Sequence, residues 1–377
     1  MKILQLTGDW KWTGPAEPML HLAGALRESG HAVDLALPDP PPGASSNLLD
    51  RARERGFEPV HRLARRQGYW PVRDGAEVRG LRRLLRERGY DVVHAHHTRD
   101  QILAKLALRG QRAARVLSWH HGDPIPTAPW HRWLYGPAGN SGLAVLSERL
   151  AERARSGLGW APERVAVAPG SVDVERFRPR PASAAVRHEL GLGEGACVIG
   201  LVARLQTHRR VELLLEAFSR ARERAPELRL LVVGRGTRAR QVLDEPVARM
   251  GLGDGVIRAG YRVADYVEVL SVLHALVFLV PGSDGSCRAV LEAMAMGLPV
   301  IATGRGTLPE TVVDGETGRV LPESPEAFAS AFVELCRDPA VWGARGAAGR
   351  RRALSRHTPE QQARSLERLY AELCGGG

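Results

Sequence analysis

Lysine is almost missing from this chain. Of 53 basic residues only Lys2, Lys11 and Lys105 are lysine, and the rest are arginine. Such usage can follow genome composition, so an arginine in place of a lysine carries little information by itself. Cysteine is scarce too. The four cysteines form no C-x-x-C pair, which leaves neither a zinc-site pattern nor a disulfide framework. Cys197, Cys287 and Cys374 read as small buried hydrophobes. No run of about 18 apolar residues occurs, so no membrane-spanning helix is expected. The opening MKILQLTGDW is too short in its apolar part for a signal-peptide core and reads as a first strand. A cytoplasmic location is therefore expected. What is present is ordinary for a globular protein: 44% hydrophobic and 25% charged residues. The 377 residues are enough for two domains with substantial cores.

The formal net charge is +11, and nearly all of the excess lies before Arg180. An anionic membrane surface, a phosphorylated substrate and nucleic acid compete as the partner. Nucleic acid is not expected, because the arginines are spread over several segments without interleaved stacking aromatics.

The most informative stretch runs from Leu276 to Thr303 (LVFLVPGSDGSCRAVLEAMAMGLPVIAT). An apolar run, Leu276 to Val280, reads as a buried strand. Pro281, Gly282, Ser283, Asp284 and Gly285 make a turn. Ser286 to Met296 has the helical period, with Ala289, Val290, Ala293 and Met294 on its apolar face. Gly297 and Pro299 end the helix, and Val300 to Ala302 begins the next strand. Ligands of open α/β sheets bind at such carboxyl-end loops. The amides of Gly285, Ser286 and Cys287 fall at the helix N-terminus, which favours phosphate. Asp284 and Glu292 stand eight residues apart, and carboxylates accept hydroxyl protons well. The plain alternative makes Asp284 a helix cap and Glu292 a solvated helix residue.

The stretch resembles the signature of the retaining GT-B glycosyltransferases of the family-four (group 1) class, E-x7-E within E-G-F-G-x-x-x-L-E-A-M-A-x-G-x-P-V. Asp284, Gly285, Leu291, Glu292, Ala293, Met294, Ala295, Gly297, Pro299 and Val300 match in register. Asp284 replaces the first Glu, Ser286 the aromatic residue and Cys287 the second Gly. Asp keeps the charge on a shorter arm, and Cys287 gives up the backbone freedom of Gly. The resemblance implies an α/β, GT-B fold: two Rossmann-like domains facing a central cleft. The first would span 1–180 with a crossover helix over 357–374, and the second 185–356.

Before Arg180, Lys2 to Thr7, Glu17 to Ser29 and Ala32 to Leu37 form a βαβ opening. The loop between the first two carries Gly14; it resembles the family's loop of two glycines that approaches the donor diphosphate or the acceptor. Arg51 to Arg66 and Val78 to Arg88 are basic and partly helical. In the latter, Leu81, Leu84 and Leu85 make one stripe among Arg79, Arg82, Arg83 and Arg86, a surface helix or a face for anionic lipid. Tyr90 to Ala95 is a strand bearing His94, with His96 and His97 after it; the family carries this pattern without metal, and no metal site is expected. Ser118, Trp119 and His120 match the family's T-x-H, which implies that His120, or its neighbour His121, lies beside the donor sugar. Trp130 and Trp133 follow in a loop with Pro124, Pro126 and Pro129, as stacking faces for an acceptor or as packing.

After the linker, Cys197 to Ala203 is a strand. Arg204 and Arg209 match the family's G-R-L-x-x-x-K-G, implying two cations on the donor diphosphate; Arg210 replaces the last Gly. A guanidinium grips phosphate bidentately. Tyr261, after the strand Val256 to Ala259, matches the loop against the nucleobase. Pro309 to Gly318 matches P-E-x-V-x-D-G-x-T-G.

The resemblance implies transfer of a sugar from a nucleotide-diphosphate donor to a hydroxyl of a glycolipid, polysaccharide precursor or other glycan, with retention. His120, Arg204, Arg209 and Asp284 would carry the chemistry. Gly14, Gly285, Ser286, Cys287, Glu292 and Tyr261 would hold the donor, and His121, Trp130 and Trp133 would face the acceptor. No D-x-D occurs, in agreement with a metal-independent reaction, and no cofactor beyond the co-substrate is implied. An attachment to the inner face of the membrane fits a lipid-linked acceptor. Two rivals remain: a nucleotide-sugar epimerase, and a catalytically silent relative serving as a binding or scaffold subunit. The second is motivated by the departures at Asp284, Ser286, Cys287 and Gly14.

Overall fold

The computed structural model describes residues 1–375 apart from 13, 14, 45, 66–68 and 283. Gly14 thus lies outside the described residues. The chain forms two compact units. Met1–Ser171, Ser283–Ser286 and Pro359–Gly377 make the first; Val172–Gly282 and Cys287–Thr358 make the second.

The first unit contains β1 (Lys2–Leu6), β2 (Ala32–Pro38), β3 (His61–Leu63), β4 (Val92–Ala95), β5 (Ala114–Trp119), β6 (Gly142–Val145) and β7 (Val165–Val167). All are parallel, in the order β3-β2-β1-β4-β5-β6-β7. The order reverses between β1 and β4, so the loops leaving these strands splay apart and open a crevice for a ligand. The helix Pro359–Gly375 packs Ala363, Leu366, Leu369 and Tyr370 against Ile3, Leu22, Leu26 and Val116. That contact makes the end of the chain an integral part of this unit.

The second unit contains β8 (Cys197–Val202), β9 (Leu228–Val233), β10 (Val256–Gly260), β11 (Ala275–Phe278), β12 (Val300–Thr303) and β13 (Gly318–Leu321). They too are all parallel, ordered β10-β9-β8-β11-β12-β13. Here the reversal falls between β8 and β11. The strands read as unbroken apolar runs because both faces are covered. Ile199, Leu230, Val277 and Ile301 enter one core, while their neighbours Val198, Leu231, Leu276 and Val300 enter the other. Successive side chains point to opposite faces, so both must be apolar.

Four elements differ from expectation. The basic segment after Arg51 is helical only over Leu48–Glu54 and then gives β3 at the sheet edge. Trp130 and Trp133 sit on a helix, Pro129–Tyr135, and not in a loop. The helix of the signature begins at Arg288, with Cys287 as its N-cap residue. β13 forms within a stretch read only as a motif. Among the described residues no helix is long and apolar enough to cross a membrane.

Candidate functional site

In the first unit the site is built on the carboxyl ends of β4 and β5. Period two puts His94 and His96 on one face of their strand, and Ser118 and His120 on the same face of the next. The rings form a ladder: His94 stacks on His96 with centroids 4.5 Å apart, and His96 on His120 at 5.3 Å. His94 bridges the Tyr370 hydroxyl at 2.6 Å and Ser118 Oγ at 2.7 Å. His96 Nε2 lies 2.6 Å from Gln5 Oε1, and its Nδ1 lies 3.0 Å from His120 Nε2. An amide oxygen only accepts, so His96 donates from Nε2 and its Nδ1 must accept from His120 Nε2–H. Gln5 thereby fixes the tautomer of His120 through one intervening ring, leaving Nδ1 of His120 as an acceptor. Burial lowers the pKa of His94 to about 3. It also holds His96 and His120 well below the usual histidine value, with the neighbouring histidines adding to the effect. The ladder is neutral at physiological pH. Among the described residues no cluster of ligating side chains could hold a metal. A cavity of about 20 Å³ opens beside His96, Ser118 and His120, room for one water molecule.

Asp284, Gly285 and Ser286 join this unit. The Gly285 amide donates to the His120 carbonyl at 2.7 Å, and a Cβ on Gly285 would lie 2.2 Å from the Gly122 nitrogen. Only glycine fits there. Asp284 Oδ1 accepts the Ser286 amide at 2.9 Å. The expected cradle of three free amides is therefore corrected: two of the three already donate within the protein. The Ser286 hydroxyl beside them is buried and has no partner among the described residues, which leaves it a donor to spare. His121 is exposed and packs on Trp119 at 4.6 Å. Its pKa is lowered by burial and by His97, with Asp123 and Asp284 acting in the other direction. His120, His121, Asp284, Gly285 and Ser286 thus come together. Trp130 and Trp133 do not join them through any ring contact or hydrogen bond among the described residues. They stack on each other at 5.1 Å and remain 49% and 41% exposed.

In the second unit the loops leaving β8, β9 and β10 are laced by backbone bonds, Leu205 N–H to Arg235 O at 3.2 Å and Gly234 N–H to Gly260 O at 2.8 Å. A Cβ at Gly234 or Gly236 would lie 2.0 Å from a carbonyl oxygen of the 203–205 loop, so the glycines of G-x-G serve close backbone approach. Arg235 between them covers the Tyr261 ring at 4.3 Å. Sequence reasoning passed over Arg235; only its place between two glycines marked it. At the β8/β11 reversal, Arg209 Nη1 donates to the Val280 carbonyl, and its guanidinium lies against Gly282, where a Cβ would meet Nη2. Its Nε is buried and has no partner among the described residues. Burial lowers the Arg209 pKa, Cys287 opposes this and the charge of Arg204 adds to it. Arg204 is exposed, with no partner among the described residues. Two guanidiniums within electrical reach of each other, with no carboxylate on either among the described residues, have the chemistry to hold an anion.

Glu292 is 6% exposed, which overturns the plain reading of a solvated helix residue. Tyr266 donates to its Oε2 at 2.7 Å and Arg288 lies 3.6 Å from Oε1. Desolvation of the hydroxyl, and then the negative charge of Glu292, hold Tyr266 well above its ordinary pKa. Tyr266 is a second residue that sequence reasoning did not find, being 26 residues from its partner.

Among the described residues, the non-glycine residues with positive φ are Arg210 (56°) and Cys287 (53°). Both stand where the family motifs carry glycine. A side chain in the left-handed region costs about 1–2 kcal/mol, so the departures are borne as backbone strain at the mouths of two binding loops. At each position the glycine variant should be more stable than the alanine variant by about 1 kcal/mol, since only alanine keeps the Cβ. Urea melts of the four variants check this, and alanine equal to glycine would deny the left-handed backbone.

The comparisons with known proteins agree with this architecture. Residues 196–338 match the model of the group 1 glycosyl transferases, and residues 14–176 that of glycosyltransferase family 4. The chain is 30% identical over 316 residues to a D-inositol 3-phosphate glycosyltransferase of Streptomyces bingchenggensis, spanning 76% of this chain and 68% of that protein. It is 29% identical over 345 residues to a GDP-mannose-dependent alpha-(1-6)-phosphatidylinositol monomannoside mannosyltransferase of Mycolicibacterium smegmatis, spanning 85% and 88%. Among solved structures, a glycosyltransferase from Rickettsia africae superposes with a TM-score of 0.84 at 17% identity, over 100% of this chain and 99% of that one. Anabaena HepE in complex with UDP and glucose gives 0.78 at 18% identity, over 97% and 98%. The two parallel-sheet units are those of a GT-B fold. The chain belongs to the family-four, group 1 glycosyltransferases.

Proposed function

We propose that this glycosyltransferase moves a sugar from a nucleotide-diphosphate donor to a hydroxyl acceptor with retention of anomeric configuration. The observation that carries the reading is the pair Arg204 and Arg209 at the β8/β11 reversal, two cations with no carboxylate between them. They would neutralise the charge that grows on the leaving diphosphate, electrostatic stabilisation supplied by the chain itself without a metal. Ser286 Oγ would donate to the donor. Glu292, held in place by Tyr266, would accept from the ribose, and Tyr261 under Arg235 would offer a face to the base. Asp284 uses one carboxylate oxygen on the Ser286 amide; the other would bind sugar hydroxyls. Neutral His120, its tautomer set through His96, would orient the sugar near the reacting carbon. His121 and, further off, Trp130 and Trp133 would face the acceptor. The phosphatidylinositol monomannoside mannosyltransferase and the D-inositol 3-phosphate glycosyltransferase among the relatives favour an inositol-bearing acceptor, and a UDP complex of a fold neighbour supports a nucleotide-linked donor. An anionic membrane surface suits the exposed Trp70 and Val72, at 61% and 96%, which precede the exposed Arg73, Arg79, Arg83 and Arg86 on one helix. Such a surface would lie on the cytoplasmic side.

A thermal-shift panel of nucleoside diphosphates and nucleotide sugars tests the donor site. One diphosphate should stabilise the parent by about 2.7 kcal/mol at a hundredfold excess over its Kd. Arg204→Ala should lose that response, and the matching sugar nucleotide should exceed its diphosphate only while Asp284 is present. A flat panel with folded variants would instead favour the silent, scaffold reading.

A further inference from the structure

At the amino end of β5, opposite the end that carries His120, the first unit holds two cations that no carboxylate among the described residues balances. Arg115, the second residue of β5, is 3% exposed. Its Nε and Nη2 are buried and have no partner among the described residues. Lys105, near the end of the helix Thr98–Ala107, donates to the carbonyls of Trp133 and Ala138, the latter at 2.9 Å. Its ammonium lies 4.5 Å over the Trp133 ring. Burial lowers the Arg115 pKa to about 10, and burial followed by the charge of Arg115 lowers that of Lys105 to about 8. The two groups therefore sense each other and no acid.

Both converge on Gly139. A Cβ built there would lie 3.6 Å from Arg115 Nη2 and 3.8 Å from Lys105 Nζ. Gly139 has φ 76°, which favours glycine, and both cations end at van der Waals distance from where its Cβ would stand. An uncompensated buried guanidinium is among the most costly features a core can hold. The cost disappears when an anion takes the unused donors, because charge-assisted bonds from guanidinium and ammonium to phosphate oxygens are the strong kind.

We propose that Arg115 and Lys105 form a second anion site, over Gly139, that takes a phosphate group. The group is either free phosphate or the phosphodiester of a lipid headgroup, which present the same oxygens. The site does not depend on the donor reading, since it shares no residue with it.

Inorganic phosphate is the probe. Thermal unfolding of the whole chain is followed with and without it for the parent, Arg115→Gln, Lys105→Gln and Arg204→Gln. Near a hundredfold excess over Kd the parent midpoint should rise by about 5–10 °C. Arg204→Gln should keep a phosphate response, and adding Arg115→Gln or Lys105→Gln to it should remove that response. Without phosphate, Arg115→Gln should melt no lower than the parent, because an unpaired charge has been removed. Should Arg115→Gln fail to fold, the part-exposed Lys105→Gln carries the comparison alone. Sedimentation with phosphatidylglycerol against phosphatidylcholine vesicles separates the sources. Vesicle binding lost in the variants assigns a lipid headgroup, and a phosphate response without a vesicle difference assigns free phosphate. A parent that ignores phosphate, or double variants that respond as Arg204→Gln does, would overturn the site.

Discussion

Arg209→Ala is expected to lower kcat by about 100- to 1,000-fold while leaving the protein folded. The side chain is held by one bond to the Val280 carbonyl and lies over Gly282. It is therefore already oriented before any donor arrives, and orientation is what makes a charge effective in a transition state. No carboxylate among the described residues pairs with it, and Arg204 raises the local potential further. Its removal takes away charge where the leaving diphosphate would gain it, and leaves no buried acid behind. Arg204, being exposed, should act more on KM. Steady-state kinetics with the donor found in the thermal panel decide the matter. A rise in KM at unchanged kcat would mean that Arg209 binds ground and transition states alike. That result would remove it from the chemistry.

The second large effect concerns stability. Arg99→Ala should cost about 3–5 kcal/mol. Arg99 Nη2 bridges Asp74 Oδ1 at 2.7 Å and Glu77 Oε2 at 2.5 Å. Arg99 is 4% exposed and Asp74 fully buried. The two acids have further duties: Asp74 accepts the Trp70 amide at 2.7 Å, and Glu77 accepts the Ala64 amide at 3.1 Å. They cannot swing to solvent without releasing those groups. Truncating the arginine strands two negative charges between the helices Pro71–Arg88 and Thr98–Ala107. Denaturant unfolding measures the loss, and Arg99→Ala with Asp74→Asn should recover part of it. If the single variant unfolded like the parent, the acids would have to be protonated or hydrated in place.

Much of the fold was legible because both sheets are parallel and covered on both faces, so their strands appear as apolar runs between glycines. β3 was missed because it is a three-residue edge strand with Arg62 at its centre. The helix of Trp130 and Trp133 was missed because three prolines looked like a loop; Pro129 in fact occupies the first helical turn, where a proline costs nothing. The paired carboxylates and the two arginines could be named from spacing and resemblance. What spacing could not give is tertiary. The amides of Gly285 and Ser286 are consumed by groups chosen by the fold, and Tyr266 reaches Glu292 from another helix. The histidine ladder was written in the period-two placing of His94, His96, Ser118 and His120. It stayed hidden because the residues were weighed as metal ligands by type and not by face.

The arginine excess has a consequence for how this molecule can be regulated or handled. A guanidinium does not titrate in any physiological range, and it is not a target for the acylating chemistry that switches lysine charges. Of the three ammonium side chains, Lys2 is tied to the Arg88 carbonyl at 2.8 Å and Lys105 to those of Trp133 and Ala138. Lys11, exposed over the Trp10 ring, is left as the open target for an amine reagent besides the terminal amine. The positive field of the first unit is thus a permanent property of the chain, and Lys11 offers the one open side-chain amine to which a label or a surface can be attached.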